Sequence, residues 1–401
     1  MMELSLEAAV AVCCDRVRPL NSEEVHIDTA FMRIAAQDIY SPVDVPGCDI
    51  STMDGYVISA YDLQRLNEGQ RVSLSVNGVI GAGSTAERSV GPGESHKIMT
   101  GARLPAGGAA IVKLEEVTAD RAGHTVTLEP GLKTGPHIAP AGCEIKSGSL
   151  LAAQGQRLNA EGAERIAAAG IAEIKVHKLP RVAIIDTGNE LVLPGNPLKA
   201  GQTYASSRSL LAAAVLSDGA LPIPADAVTA DEAASIAGAI NEALAVCDLI
   251  LISGGTGAGD YDLVYDAMRL LSADLLYRGL KLLPGSGSAT AVLHNKLLFN
   301  LPGKPQAAGI IYEATVRPAL RKMKGENRYQ PQWFSLPLGG DIKNIKPQRC
   351  LYRGEMTIRQ GRVFAHPMGK TDWASEALPL LIDLQPGQGQ AGDIVRACFR
   401  S

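Results

Sequence analysis

The segment Ser253-Gly-Gly-Thr-Gly-Ala-Gly-Asp-Tyr-Asp262 packs four glycines into seven positions. Such a run frees the backbone to wrap a phosphate or another oxyanion. Ser253, Gly254, Gly255, Thr256 and Gly257 are therefore candidate ligand contacts, and Asp260 and Asp262 suit a hydrated Mg2+ beside a phosphate. The competing reading is a flexible glycine turn with two capping aspartates. A Walker loop and a dinucleotide fingerprint are both excluded, because Gly-Lys-Ser/Thr and the required glycine spacing are missing. Asp186-Thr-Gly-Asn-Glu190 offers carboxylates just past a strand end, able to take Mg2+ or a ligand hydroxyl; helix capping by Asp186 or Thr187 is an equal reading. In Asn300-Leu-Pro-Gly-Lys-Pro305, two prolines around a glycine make a rigid corner, and Lys304 could hold a phosphate or stand in solvent.

Regular elements must carry these loops. Arg181–Asp186, Leu249–Ile252 and Lys296–Asn300 read as buried strands, each ending in a glycine-containing loop. Helices are expected from Ser207 to Leu216 with Ser206 as cap, from Ala233 to Leu244, and from about Gln306 to Met323. Uniformly apolar strands alternating with helices predict a parallel sheet covered on both faces. Ligands of such sheets bind outside the carboxyl ends of the strands, so residues 180 to 325 are expected to hold an anionic ligand. The first 20 residues read as an amphipathic helix stopped by Pro19. Ala160–Ala169 is a further helix, whereas residues 27 to 142 carry short β-rich runs between Gly and Pro turns. The pattern turns β again after Lys324, with a hairpin turn at Arg359-Gln-Gly-Arg362.

Composition narrows the function classes. At 401 residues, with 38 Lys+Arg against 42 Asp+Glu, the net charge is −4, which gives no electrostatic case for nucleic acid or an acidic membrane surface. Aromatic content of 4% argues against a base-stacking platform. The seven cysteines are odd in number and widely spaced, without Cys-x-x-Cys, so neither zinc nor a disulfide framework is expected. Without a signal-like start or a long apolar run, the expected location is the cytoplasm.

Two further segments, Asp44-Val-Pro-Gly-Cys-Asp-Ile-Ser-Thr-Met-Asp-Gly-Tyr56 and Ile98-Met-Thr-Gly-Ala102, look like ordinary turn-rich loops by chemistry alone. Their order resembles the molybdopterin molybdenumtransferase family, which includes the C-terminal domain of gephyrin. Thr187-Gly-Asn-Glu190, Ser253-Gly-Gly, Gly259-Asp-Tyr-Asp262 and Leu301-Pro-Gly303 match the same family. The resemblance spans essentially the whole chain.

The resemblance implies an elongated homodimer of multidomain α/β plus β subunits. Its domains would be 1–26 with 143–179 (split), 27–142 (β-rich insert), 180–328 (molybdopterin-binding-like parallel α/β) and 329–401 (small β-barrel). It implies Mg2+-assisted insertion of molybdate into adenylylated molybdopterin with release of AMP. Molybdopterin adenylyltransferase or molybdoenzyme maturation proteins are implied as partners. By motif, Asp54 and Thr100 would come from the neighbouring subunit. Glu190 and Asp262 would sit near the metal and pterin phosphate, with Pro302, Gly303 and Pro305 shaping the wall.

Departures from the family pattern concentrate in the anion site. The usual Lys-Pro-Gly-Lys-Pro stands here as Leu282-Leu-Pro-Gly-Ser-Gly287, and an arginine-bearing motif as Ala139-Pro-Ala-Gly-Cys-Glu144. An Asp pair is thinned to Thr229-Ala-Asp231, and Gly-Ser-Gly of the last domain is Gly369-Lys-Thr-Asp372. Lys304 or Lys281 would then have to supply the missing charge. A second reading follows, in which the chain is a catalytically reduced homologue that binds a pterin or nucleotide as carrier or regulatory partner. A third, smaller one is an adenylyltransferase-like role, suggested by Gly254-Gly-Thr-Gly257.

Overall fold

The structure, a computed structural model, describes residues 3–132, 135–255, 263–342, 345–368 and 378–400. Its central element is a six-stranded sheet in the order Leu221–Pro224, Arg181–Asp186, Leu249–Ser253, Lys296–Leu301, Ala289–Leu293, Asp274–Arg278. Alternate residues of each strand serve opposite faces. Val182 and Ile184 join one core with Leu249 and Leu251, while Ala183 and Ile185 join another with Ile250 and Ile252. Each fully buried Ile or Leu contributes on the order of 1.5–3 kcal/mol. That is why these strands read as uninterrupted apolar runs.

The strands expected to be parallel are parallel, and two further strands make the whole sheet mixed. The first four strands are parallel. Ala289–Leu293 then runs antiparallel to Lys296–Leu301, and Asp274–Arg278 antiparallel to Ala289–Leu293. The reason is the two-residue turn His294-Asn295, both residues with positive φ (50° and 61°). A turn that short can only join antiparallel strands.

The helices follow the sequence pattern with two differences. Ala233–Leu244 forms as expected, and the helix before it spans Ser206–Ser217, but Ser206 lies inside that helix and Ala205 at its N-cap makes no side-chain hydrogen bond. The long C-terminal helix is broken into Pro305–Ile311, a π turn Tyr312–Val316 and Arg317–Met323. At the other end of the chain, Leu6–Asp15 is capped by Ser5, whose Oγ accepts from the Ala8 N–H at 3.2 Å. Its buried side, Leu6, Ala9, Val10 and Cys13, packs into the α/β core.

Ser22–His26 pairs antiparallel with Glu173–His177, closing a small unit whose core includes Ile27, Leu158, Ile166 and Val176. Between these two strands the chain builds a six-stranded sheet, from Gly108–Lys113 through Gly55–Ser59, Glu94–Ile98 and Val72–Ile80 to Thr125–Leu128 and Thr118–Ala119. The C-terminal part is a five-stranded sheet in the order Phe334–Pro337, Ile394–Phe399, Leu378–Leu384, Cys350–Arg359, Arg362–Pro367. A bridge from Leu338 to Ala365 brings its two edges together, so it is a nearly closed barrel. Among the described residues no helix is long and apolar enough to cross a membrane.

Candidate functional site

The carboxyl ends of Arg181–Asp186 and Leu249–Ser253 lie side by side, since Asp186 registers with Ser253. Their exit loops, with Thr203 to Ser207 and the Gly303 corner, enclose a cleft of about 460 Å3. Gly254 sits at its floor with φ 110°, and a Cβ there would collide with the Thr187 carbonyl oxygen. The Gly303 corner approaches Gly254 closely and is fixed by the Ser207 hydroxyl, which donates to the Gly303 carbonyl at 2.9 Å. Glycine at position 254 is thus required by backbone proximity and by its positive φ.

Asp186 is the deepest carboxylate, with no exposed surface. Arg208 Nε donates to its Oδ2 at 2.8 Å, whereas Oδ1 is buried without a hydrogen-bond partner. Burial pushes its carboxyl above the ordinary range, against the lowering pull of Arg208. Asp186 therefore caps no helix; it is paired with Arg208, and its second oxygen is buried without a hydrogen-bond partner. Asp231 also lines the cleft, but both its oxygens are engaged, by Thr187 Oγ1 at 2.7 Å and the Asn189 N–H at 3.1 Å. Its work is to hold the Thr187–Asn189 turn from which Glu190 reaches the cleft as an exposed carboxylate.

Glu190, Ser253, Gly254, Gly255, Gly303, Lys304 and Pro305 line this one cleft. Pro302 precedes the corner without lining it. Lys281 does not line this cleft; it is exposed in a loop where its backbone N–H donates to the Leu4 carbonyl at 2.9 Å. Lys304 is the positive charge among the described lining residues. Thr256, Gly257, Asp260 and Asp262 fall outside the described residues. Thr203, Tyr204, Ser207 and Arg208 were not singled out from the sequence. An arginine in the first turn of a helix that follows a loop leaving a buried strand was the available clue to Arg208.

Asp54 and Thr100 form a second constellation, in the inserted β unit. Gly55 registers with Ile98 in antiparallel strands, which sets the turns at Asp54 and Thr100 side by side. Asp54 Oδ1 accepts from the Thr100 N–H at 2.7 Å and from Thr100 Oγ1 at 2.8 Å. The backbone hydrogen bond, then the hydroxyl, hold the Asp54 carboxyl below the ordinary range. Both residues are exposed, and neither lines the α/β cleft of its own chain. The other aspartates of the motif brace the loop: Asp44 accepts from the Ser147 N–H and Asp49 from the Ala141 N–H.

The donor set fits Mg2+ in the manner that ion prefers, through one or two carboxylates completed by substrate phosphates and water. The unpartnered Asp186 Oδ1 and the Glu190 carboxylate are the available oxygens. Among the described residues no cluster of three or more metal-ligating side chains exists, so a preformed all-protein cage is absent there.

Comparison with known proteins agrees with this architecture. Residues 4–170 match the family model for the MoeA N-terminal region (domain I and II), and residues 183–322 match that for a probable molybdopterin binding domain. The chain belongs to the MoeA family. It is 30% identical over 345 residues to a molybdopterin molybdenumtransferase of Staphylococcus aureus strain COL, covering 86% of this chain and 82% of that protein. A molybdopterin molybdenumtransferase of Bacillus subtilis strain 168 is 28% identical over 368 residues, 91% of this chain and 85% of that one. The crystal structure of the molybdopterin biosynthesis MoeA protein from Pyrococcus horikoshii superposes with a TM-score of 0.82 at 29% identity, covering 100% of this chain and 99% of that one. The family model for molybdopterin binding covers the α/β unit that carries the cleft.

Proposed function

We propose that this protein is a Mg2+-dependent molybdopterin molybdenumtransferase acting in the cytoplasm. In this reading it takes adenylylated molybdopterin, admits molybdate to the dithiolene and releases AMP. The observation that carries the reading is the glycine-bounded cleft that brings Glu190 and Lys304 together over Asp186, whose buried Oδ1 has no hydrogen-bond partner. Asp186 and Glu190 would hold Mg2+, which when bound supplies charge to the phosphate oxygens. Arg208 keeps Asp186 oriented. The Gly254 and Gly255 backbone gives the substrate close approach, and Lys304 attracts molybdate or the pterin phosphate.

Asp54 and Thr100 enter the reaction only if a second copy brings them to this cleft, so a homodimer is part of the proposal. A monomer by light scattering at micromolar concentration would remove that part. Substrate would come from a molybdopterin adenylyltransferase, the implied upstream partner.

The test is incubation with adenylylated molybdopterin, Mg2+ and molybdate. AMP release together with metal-loaded pterin supports the transferase. Tight pterin binding without AMP release supports the alternative, a binding homologue, which the loss of the family lysines at Leu282 to Gly287 favours.

A further inference from the structure

A second cavity, of about 290 Å3, opens where the split unit, the α/β unit and the C-terminal barrel meet. Arg157, Arg317, Arg321 and Arg328 line it with two glutamates, Glu313 and Glu326. It shares no lining residue with the α/β cleft.

The negative charges here are already engaged. Glu326 accepts from Arg157 in a forked pair at 2.8 and 2.7 Å and lies 3.3 Å from Lys324 Nζ. Glu313 accepts from Arg317 Nη1 at 2.9 Å and from Arg400 Nε at 2.5 Å. Arg317 Nε is itself turned to Asp218 at 2.9 Å. The π turn Tyr312–Val316 makes this possible: it widens the helix where Tyr312 OH also reaches Asp218, at 2.8 Å. Such turns recur at functional sites.

Arg321 and Arg328 are left over. Among the described residues neither side chain makes a hydrogen bond or an ion pair, and Arg321 Nε is buried without a partner; Asp218 and Glu326 act on Arg321 only through longer-range attraction. A guanidinium cannot shed its proton, so a partly buried one with no anion hydrogen-bonded to it is costly. Its planar fork matches the oxygens of a phosphate.

We propose that this cavity binds a small phosphate-bearing anion between Arg321 and Arg328. The volume admits inorganic phosphate or the terminal phosphate of a small metabolite and is too small for a dinucleotide.

Calorimetric titration of the full chain with inorganic phosphate, and separately with glycerol phosphate, tests this at one ionic strength. Arg321→Gln and Arg328→Gln are each expected to weaken phosphate binding by about tenfold or more. Arg328 is exposed, so its variant carries the test if Arg321→Gln fails to fold. Tighter binding of glycerol phosphate assigns the site to a metabolite; equal binding assigns it to free phosphate; both support the site. The proposal is overturned if wild type binds neither ligand at millimolar concentration, or if Arg328→Gln binds as wild type does. Loss of binding in Lys304→Asn alone would place the anion in the α/β cleft and also overturn it.

Discussion

The two constellations solve the problem of holding a carboxylate in opposite ways. Asp54 stands in solvent and is satisfied locally, by two hydrogen bonds from Thr100 across a strand pair. Asp186 is sealed in the α/β unit and satisfied by a charge from another element, with one oxygen unspent. Hydrogen bonding lowers the first carboxyl, while burial raises the second despite its arginine. A carboxylate whose acceptor capacity is only partly used at a ligand cleft is prepared to accept a cation or donor from the ligand. One that is exposed and tied to its neighbour shapes a surface, and it serves chemistry only when that surface meets another site.

The largest effect expected from breaking this contrast is at Asp186. Asp186→Ala leaves Arg208 partly buried and unpaired, which should cost about 3 kcal/mol or more in urea unfolding and abolish turnover. Asp186→Asn keeps an acceptor for Arg208 and should recover part of the stability without recovering Mg2+-dependent turnover. Lys304→Asn comes next. It should weaken molybdate binding by about tenfold, or about 1.4 kcal/mol, with the melting temperature unchanged; equal affinity by calorimetry would shift the account toward the binding homologue.

Ser207→Ala removes the tie to the Gly303 carbonyl and should lower stability by about 1 kcal/mol, read from the urea midpoint. The mildest change sharpens the other side. Thr100→Val removes the hydroxyl but keeps the backbone donor, so the Asp54 carboxyl should rise toward the ordinary range, followed by carboxyl NMR titration. Because the folded value lies below the unfolded one, the stability Asp54 contributes is present above its unfolded pKa and is lost as pH falls through the folded value. An unchanged Asp54 titration would assign the shift to the backbone N–H alone.

How much of this was legible depends on the distance over which the cause acts. The strands Arg181–Asp186 and Leu249–Ser253 and the loops after them are visible because burial on both faces leaves an apolar run ending in glycine. Strand direction is not in the apolar pattern. It follows from the His294-Asn295 turn, whose length was the missing clue to the mixed sheet. The π turn at Tyr312–Val316 keeps helical spacing closely enough to read as one helix; Asp218, far off in sequence, is what organises it.

For the site, Glu190 and Lys304 are readable as polar residues just past strand ends, and both reach the cleft. Lys281 has the right charge and lies elsewhere, because its loop is pinned to Leu4 by backbone bonds that no local pattern announces. The Asp186–Arg208 pair spans a strand, a loop and a helix, so only the assembled sheet reveals it. The Asp54–Thr100 pair was reached through a motif rather than through chemistry, since each residue alone is an unremarkable turn.

AMP release by mixed subunits tests the account most directly. Asp54→Ala and Glu190→Ala proteins are unfolded and refolded together, then supplied with adenylylated molybdopterin, Mg2+ and molybdate. Each variant alone should release no AMP. The mixture should regain release with metal-loaded pterin, because one cleft of a mixed dimer then has an intact Glu190 and an intact Asp54 from the other copy. A mixture that dimerises and stays silent while wild type turns over would contradict a site shared between copies, and a silent wild type would contradict the transferase itself.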